Sequence, residues 1–188
     1  MRDRSGLPLD EAVELLEMRV SRLERLCAAQ INGSAPSSAL QGSVVYGMGD
    51  PRLLLVGAYS AEKANDGTIA RWFGKTGLVQ MIFPHGRGCK QNAELLVRPY
   101  KGIDLLGIRF IIDEMQVIPK VTILPKGFAI FEFEISAAFT TQTEIQIHNL
   151  PVRSPKDDGY EKDQRLLSFR LFKATFSAVS TEESPLDV

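Results

Sequence analysis

The chain is poor in the residues that mark most chemistries. It has two cysteines, Cys27 and Cys89, in 188 residues, with neither in a CxxC or other paired spacing. That excludes a disulfide framework and any familiar structural zinc pattern, and it fits a reducing compartment. Histidine is as scarce, with only His85 and His148, so a metal centre would be short of ligands. Charge of one sign is missing too: 22 basic and 23 acidic residues leave a net charge of -1. No global field draws this protein to nucleic acid or to an anionic membrane, so nucleic acid is not an expected partner. No run reaches the roughly 18 apolar residues of a membrane-spanning helix. The first residues, MRDRSGLPLDEAVELLE, run into acids where a secretory signal needs an apolar core. A cytoplasmic or virion location is expected, without membrane insertion.

Phosphate-binding glycine motifs are absent as well. Gly74-Lys75-Thr76 has the end of a P-loop, but position 69 is isoleucine and no helix pattern follows. Gly47-Met48-Gly49 lacks the third glycine of the dinucleotide fingerprint. Both read as turns, and no cofactor is expected.

What the sequence does have begins with a helix. Leu9, Val13, Leu16, Val20, Leu23 and Cys27 are spaced 4, 3, 4, 3, 4, which puts them on one stripe. Pro8 suits the first turn and Asn32-Gly33 the stop. A helix over 1–32 is predicted, marginal alone in water, so its stripe must be buried. With Val13 and Val20 at heptad position a and Leu16 and Leu23 at d, Arg19 falls at g and Glu24 at the next e. In parallel helices that sets Arg19 of one chain against Glu24 of its neighbour. The run Arg19-Val20-Ser21-Arg22-Leu23-Glu24 resembles the short trimerisation motif of parallel coiled coils, and the resemblance implies three chains. Valine at a with leucine at d leans instead to two. A homotrimer is favoured over a dimer; the alternative is that the stripe folds back on the chain's own sheet.

Residues 33–43, GSAPSSALQGS, have the composition of a flexible linker. From 44 to 180 the periodicity becomes extended. Phe131, Phe133 and Ile135 alternate with Glu132 and Glu134, and Leu167, Phe169 and Leu171 with Ser168 and Arg170. About nine strands are predicted with no helices between them. The phase of the last strand then shifts, with Phe172, Ala174, Phe176 and Ala178 continuing the apolar face, which predicts a bulge. The fold class is mainly β: an antiparallel, jelly-roll-like β-sandwich preceded by one N-terminal amphipathic coiled-coil helix. Residues 149–165 form a long loop with balanced charges, and 181–188 an acidic tail.

Two stretches are candidate sites. From Arg71 to Lys101 six bases (Arg71, Lys75, Arg87, Lys90, Arg98, Lys101) face one acid, Glu94, with Trp72 and Tyr100 interspersed. Trp72, Arg87, Lys90, Arg98, Tyr100 and Lys101 are therefore candidate ligand contacts for a phosphate, an acidic glycan or a nucleic-acid strand. Phe83-Pro84-His85-Gly86-Arg87-Gly88-Cys89-Lys90 groups a thiol, an imidazole and two bases, the parts of an activated cysteine. No catalytic residue is assigned. The leading expectation is a non-enzymatic structural or binding protein that self-associates and docks with other subunits of a larger assembly. Its helix, linker and sandwich order is similar to virion fibres, decorations and receptor-binding proteins. The alternative is a cytoplasmic enzyme, or a small-molecule or anion-binding β-domain, built on the His85–Cys89 loop.

Overall fold

The computed structural model describes residues 42–64, 66–138 and 140–179. The predicted helix with Val13, Leu16, Arg19, Val20, Leu23, Glu24 and Cys27, nearly all of the linker, and the acidic tail lie outside the described residues.

Among the described residues the chain forms twelve strands: β1 (Ser43–Gly47), β2 (Leu54–Val56), β3 (Glu62–Lys63), β4 (Ile69–Trp72), β5 (Leu78–Phe83), β6 (Gln91–Pro99), β7 (Phe110–Ile112), β8 (Met115–Val117), β9 (Lys120–Ile123), β10 (Ala129–Ile135), β11 (Thr143–His148) and β12 (Phe169–Ala178). They make two sheets with antiparallel pairing throughout. The seven-stranded sheet runs β3-β4-β12-β6-β10-β9, with β1 also on β12, and the five-stranded sheet runs β2-β5-β11-β7-β8. The count exceeds nine because single expected strands are cut. Pro119, which cannot donate to a ladder, ends β8 in the smaller sheet and lets the chain cross to β9 in the larger.

The alternation read from the sequence is the burial pattern of the sheets. Leu95 and Val97 on β6, Phe131 and Phe133 on β10, and Phe169 and Phe176 on β12 face inward. They meet Val79, Met81 and Phe83 on β5, Phe110 on β7, and Ile145 and Ile147 on β11. Rings join the two sheets: Phe110 meets Phe131 edge-on at 5.2 Å, and Phe83 meets Phe176 at 4.7 Å. The predicted bulge is present, since the pairing of β12 with β6 slips between Leu171 and Lys173.

Of the buried polar residues, His85 and Arg87 come from the loop between β5 and β6. Arg87 is only 2% exposed, and its Nη1 and Nη2 donate to Asp113 at 2.6 and 2.7 Å. Asp113 sits with Glu114 in the β7–β8 hairpin, where φ is 51° and 66°, both left-handed. That is the two-residue turn whose twist suits a hairpin, normally built with Asn-Gly or Asp-Gly. Here a forked bond to a buried guanidinium holds an Asp-Glu pair in it, and the same bond keeps the Asp113 carboxyl below its ordinary range.

His85 is the second. Gln91 donates its amide to the Gly86 carbonyl, which aims its Oε1 at His85 Nε2, 3.2 Å away. Nε2 therefore carries the proton, shared with Thr143 Oγ1 at 3.1 Å, and Nδ1 accepts from the Tyr46 hydroxyl at 3.1 Å. Burial above all, with the nearby Arg87 charge adding and Gln91 opposing, lowers the His85 pKa to about 4.

Two predictions follow from these groups. Asp113→Ala strands the Arg87 charge. Because Asp113 is half-exposed, urea unfolding should show a loss of about 2 kcal/mol, between the values for surface and buried pairs. The control Glu134→Ala, which breaks the solvent-exposed Lys90–Glu134 pair, should cost less than about 1 kcal/mol. For His85, the unfolded chain binds a proton that the folded protein refuses between its ordinary pKa of 6.5 and about 4. Stability is full above pH 6.5 and falls as pH drops through that window, by up to about 1.4 kcal/mol per pH unit. His85→Gln should flatten that slope; an unchanged slope would assign it to other groups.

Candidate functional site

The residues expected to act together separate into two places. Lys90, just before β6, is paired with Glu134 at 2.7 Å, and Arg87 is enclosed by Asp113 and Thr140. Arg87 is therefore not available as a ligand contact: clustering of bases along the chain reports charge density, not exposure. At the other end of β6, roughly 27 Å along a strand rising about 3.4 Å per residue, Arg98 and Tyr100 come together with Trp72. Lys101 follows Tyr100 in an exposed turn.

In the His85–Cys89 loop the imidazole is committed to other side chains. Both ring nitrogens of His85 are held by Tyr46, Gln91 and Thr143 side chains, and the ring is stacked against Tyr46 and tilted against Phe176. A base so enclosed, and neutral down to about pH 4, has no lone pair free to accept a thiol proton. Among the described residues no group of three or more His, Cys, Asp or Glu is placed to hold a metal ion.

The outer face of the seven-stranded sheet is different. Register sets Trp72 of β4 beside Arg170 of β12, and Arg170 beside Arg98 of β6. Phe128, one residue before β10, lies next along the row, since Ala129 pairs with Val97. The bulge adds a fifth member. Inward residues occupy 169 and 171 and then 174 and 176, so Phe172 is the extra one and turns outward. The side chains form a continuous line. Tyr100 meets Trp72 edge-on at 6.0 Å, and the Arg170 guanidinium lies 5.9 Å from the Trp72 ring and 5.5 Å from Phe172. Phe172 lies 5.1 Å from Phe128, and the exposed Arg98 lies over Phe128 at 5.6 Å. Each cation rests on a ring face, the favourable arrangement.

Two arginines directly opposite each other repel. Arg170 has partial relief: its Nη2 lies 3.8 Å from a Glu62 carboxylate oxygen and donates to the Glu62 carbonyl at 3.3 Å. Arg98 meets no carboxylate among the described residues within salt-bridge distance. Polar atoms without partners gather at the same corner. Ser168 Oγ and Arg170 Nε are buried with no hydrogen-bond partner among the described residues. Ser168 is tied to the site by its carbonyl, which accepts from Tyr100 N at 2.7 Å. Asp158 is 4% exposed and held by Arg153, which reaches from the strip paired with Leu167. Burial, and then the adjacent Asp158 carboxylate, push the Tyr100 phenol up. The long 149–165 loop earns its length here: a 3-10 turn at Pro155–Asp158, closed by Gly159 at φ 91°, presents Asp158 to this corner.

Trp72, Arg98 and Tyr100 were readable from the 71–101 stretch. Arg170, Phe172, Phe128, Ser168 and Asp158 were not, since they arrive from segments distant in sequence. The one signal for Arg170 was its polar phase in β12, while Phe172, expected on the inward face with Ala174 and Phe176, is turned outward because it is the bulge residue.

No protein-family model matches this chain, and no curated protein does. Solved structures with a similar arrangement of strands include a family 35 carbohydrate-binding module from Clostridium thermocellum, with 9% identity, a TM-score of 0.48, and coverage of 74% of this chain and 100% of that one. They include the GH26-CBM35 β-(1,4)-mannanase of Podospora anserina, at 13% identity and TM-score 0.47, covering 75% and 28%. The C-terminal CBM6 of the laminarinase LamC from Zobellia galactanivorans is a third, at 8% and 0.41, covering 72% and 98%. At these identities and scores the likenesses carry no functional argument for this chain.

Proposed function

We propose that this chain is a non-enzymatic binding protein whose contact surface is the outer face of the seven-stranded sheet, centred on Trp72, Arg98, Tyr100 and Arg170. The observation that carries this reading is the unbroken line of paired rings and guanidinium groups on that face, ending in an arginine that meets no carboxylate among the described residues. Cations stacked on rings are already desolvated and ordered, so a ligand meets a rigid platform and little side-chain entropy is lost on binding. The loop with the more reactive composition is spent on internal hydrogen bonds.

In the same proposal the N-terminal stripe, with Arg19 against Glu24 of a neighbour, makes the protein an oligomer that presents several copies of this face. The virion-like setting belongs to it as well, on the order of helix, linker and sandwich alone. Among the described residues no helix is long and apolar enough to cross a membrane.

Two measurements test the proposal. On an immobilised panel of oligosaccharides, phosphopeptides and nucleic acids, Arg98→Ala should weaken retention at least about tenfold, as expected for losing a charged contact, while Cys89→Ser leaves it unchanged. The reverse pattern would move function to the His85–Cys89 loop. Light scattering on the intact chain and on the chain lacking 1–32 should show a trimer that becomes a monomer; a monomer in both removes the oligomer from the proposal.

A further inference from the structure

We infer that the ligand of this face is an acidic oligosaccharide: a short chain of carboxylated sugars whose ring stacks on Trp72 and whose carboxylate sits between Arg98 and Arg170. The inference rests on the binding-face reading above and names the chemistry it selects.

Three features of the face must be matched together. The first is flat and apolar: Trp72 and Tyr100, set edge to face, offer π-surface on a sheet face where Trp72 is half-buried. A sugar ring presents a flat patch of C–H groups that suits it. The second is positive: Arg98 and Arg170 are in register on adjacent strands, their like charges opposed, with only Arg170 near a carboxylate. One anionic group placed between them would relieve that repulsion and accept forked bonds from either guanidinium.

The third feature decides the class. The surroundings hold both donors, on Arg98 and Arg170, and acceptors, on the Glu62, Glu94 and Glu132 carboxylates. Hydroxyls act as donor and acceptor at once, so a polyol can serve such a mixed set and a phosphate, an acceptor alone, cannot. Carboxylates are also abundant around the arginines. Glu62 lies beside Arg170, Asp158 beside Tyr100, and four residues before Arg98 on β6 the outward Glu94 is paired in register with Glu132. A nucleic-acid strand brings a phosphate at every nucleotide and would meet those acids. A chain with one carboxylate per sugar can place it at the arginine pair and give hydroxyl hydrogens to the acids.

Trp72 is the protein's single tryptophan, so its fluorescence reports this face alone. The full chain is titrated with tetragalacturonate, with the neutral cellotetraose and with an octathymidylate, followed by fluorescence and by calorimetry. The expected result is that tetragalacturonate binds and shifts the Trp72 emission. Arg98→Ala should weaken that binding about tenfold, Arg98→Lys less, because lysine keeps the charge but loses the fork. Raising salt from 50 to 500 mM should weaken it by several-fold, as screening of about two charges requires.

If cellotetraose or octathymidylate binds as well as the acidic sugar, with the same dependence on Arg98, the ligand class is wrong and the binding face stands. If tetragalacturonate binds by calorimetry with Trp72 unmoved and Arg98→Ala neutral, both the class and the face are overturned. If it does not bind at all, the class falls alone, and the panel of the preceding section judges the face. Far-UV circular dichroism of the Arg98 variants, an exposed position on a strand whose inward residues are untouched, confirms that loss of binding is not loss of fold.

Discussion

Strand β12 cannot keep Phe169 and Leu171 inside together with Ala174 and Phe176 unless one extra residue lies between the two pairs. The side-chain period of a strand is two, and these residues are out of phase by one. A regular strand would have put Ala174 and Phe176 in water, and Phe176 makes the 4.7 Å contact with Phe83 that ties the sheets at one end. The bulge resolves the conflict, and Phe172 becomes its residue. With nowhere inside to go, the ring turns outward, yet it is nearly buried there because Phe128 and the Arg170 guanidinium close over it. The outer platform is thus a by-product of core phasing. Local twist at a bulge re-aims side chains, and bulges recur at functional faces for that reason.

The loop between β5 and β6 shows the opposite use of polar chemistry. Its histidine and arginine have the composition of a reactive centre, but both side chains are committed to other side chains, and the loop's carbonyls are held as well. Thr143 donates to the His85 carbonyl, Gln91 to the Gly86 carbonyl, and the Arg87 main chain pairs with Ala138. Buried polar groups must be satisfied, and a loop that enters the sandwich brings its own backbone groups with it. The groups that answer come from the following residues, as Gln91 does, and from a strand distant in sequence, as Thr143 does. Arg87 then reaches further and fixes the β7–β8 turn, which couples a loop of one connection to a hairpin of another. The chemistry of this segment is structural for a physical reason: a histidine neutral to about pH 4, with both nitrogens engaged, cannot take up a proton at neutral pH.

The fold was legible where one face of a strand is dry and the other wet. Phe131, Phe133 and Ile135 on β10, and Ile145 and Ile147 on β11, alternate with polar residues and are buried as read. It was legible at the bulge, because a phase error within one run needs no knowledge of the partner strand. Residues 116–124 read as a single strand, and no local pattern showed that the halves on either side of Pro119 join different sheets, since sheet membership is a long-range property. The site divides along the same line. Arg98 and Tyr100 share a strand end and Trp72 is near in sequence, so composition found them. Arg170 and Phe128 complete the line only through the register of β12 and β10 on β6, which no local pattern encodes. Arg87 was misplaced because six bases in one stretch do not reveal which of them the core will enclose.

The two arginines of the platform also set what kind of binding it can support. A guanidinium resting on a ring keeps its hydrogen-bonding edge free while its face is dry, so stacking and forked bonding to a ligand do not compete. Arg170, held between Trp72 and Phe172 with its Nη2 on the Glu62 carbonyl, is fixed in place; Arg98 rests on Phe128 only and is exposed. In the proposed complex one rigid and one adjustable cation, from adjacent strands, hold the anionic group without exact placement of it. Such a grip on an open sheet face buries fewer ligand atoms than a cleft does, and the affinity of one copy is correspondingly modest. The proposed oligomer addresses that limit, because several copies engaging one repeating polymer turn later contacts into intramolecular ones and raise avidity with no new residue at the site. An acidic oligosaccharide, whose charge recurs at each sugar, is the kind of repeating ligand on which that arrangement acts.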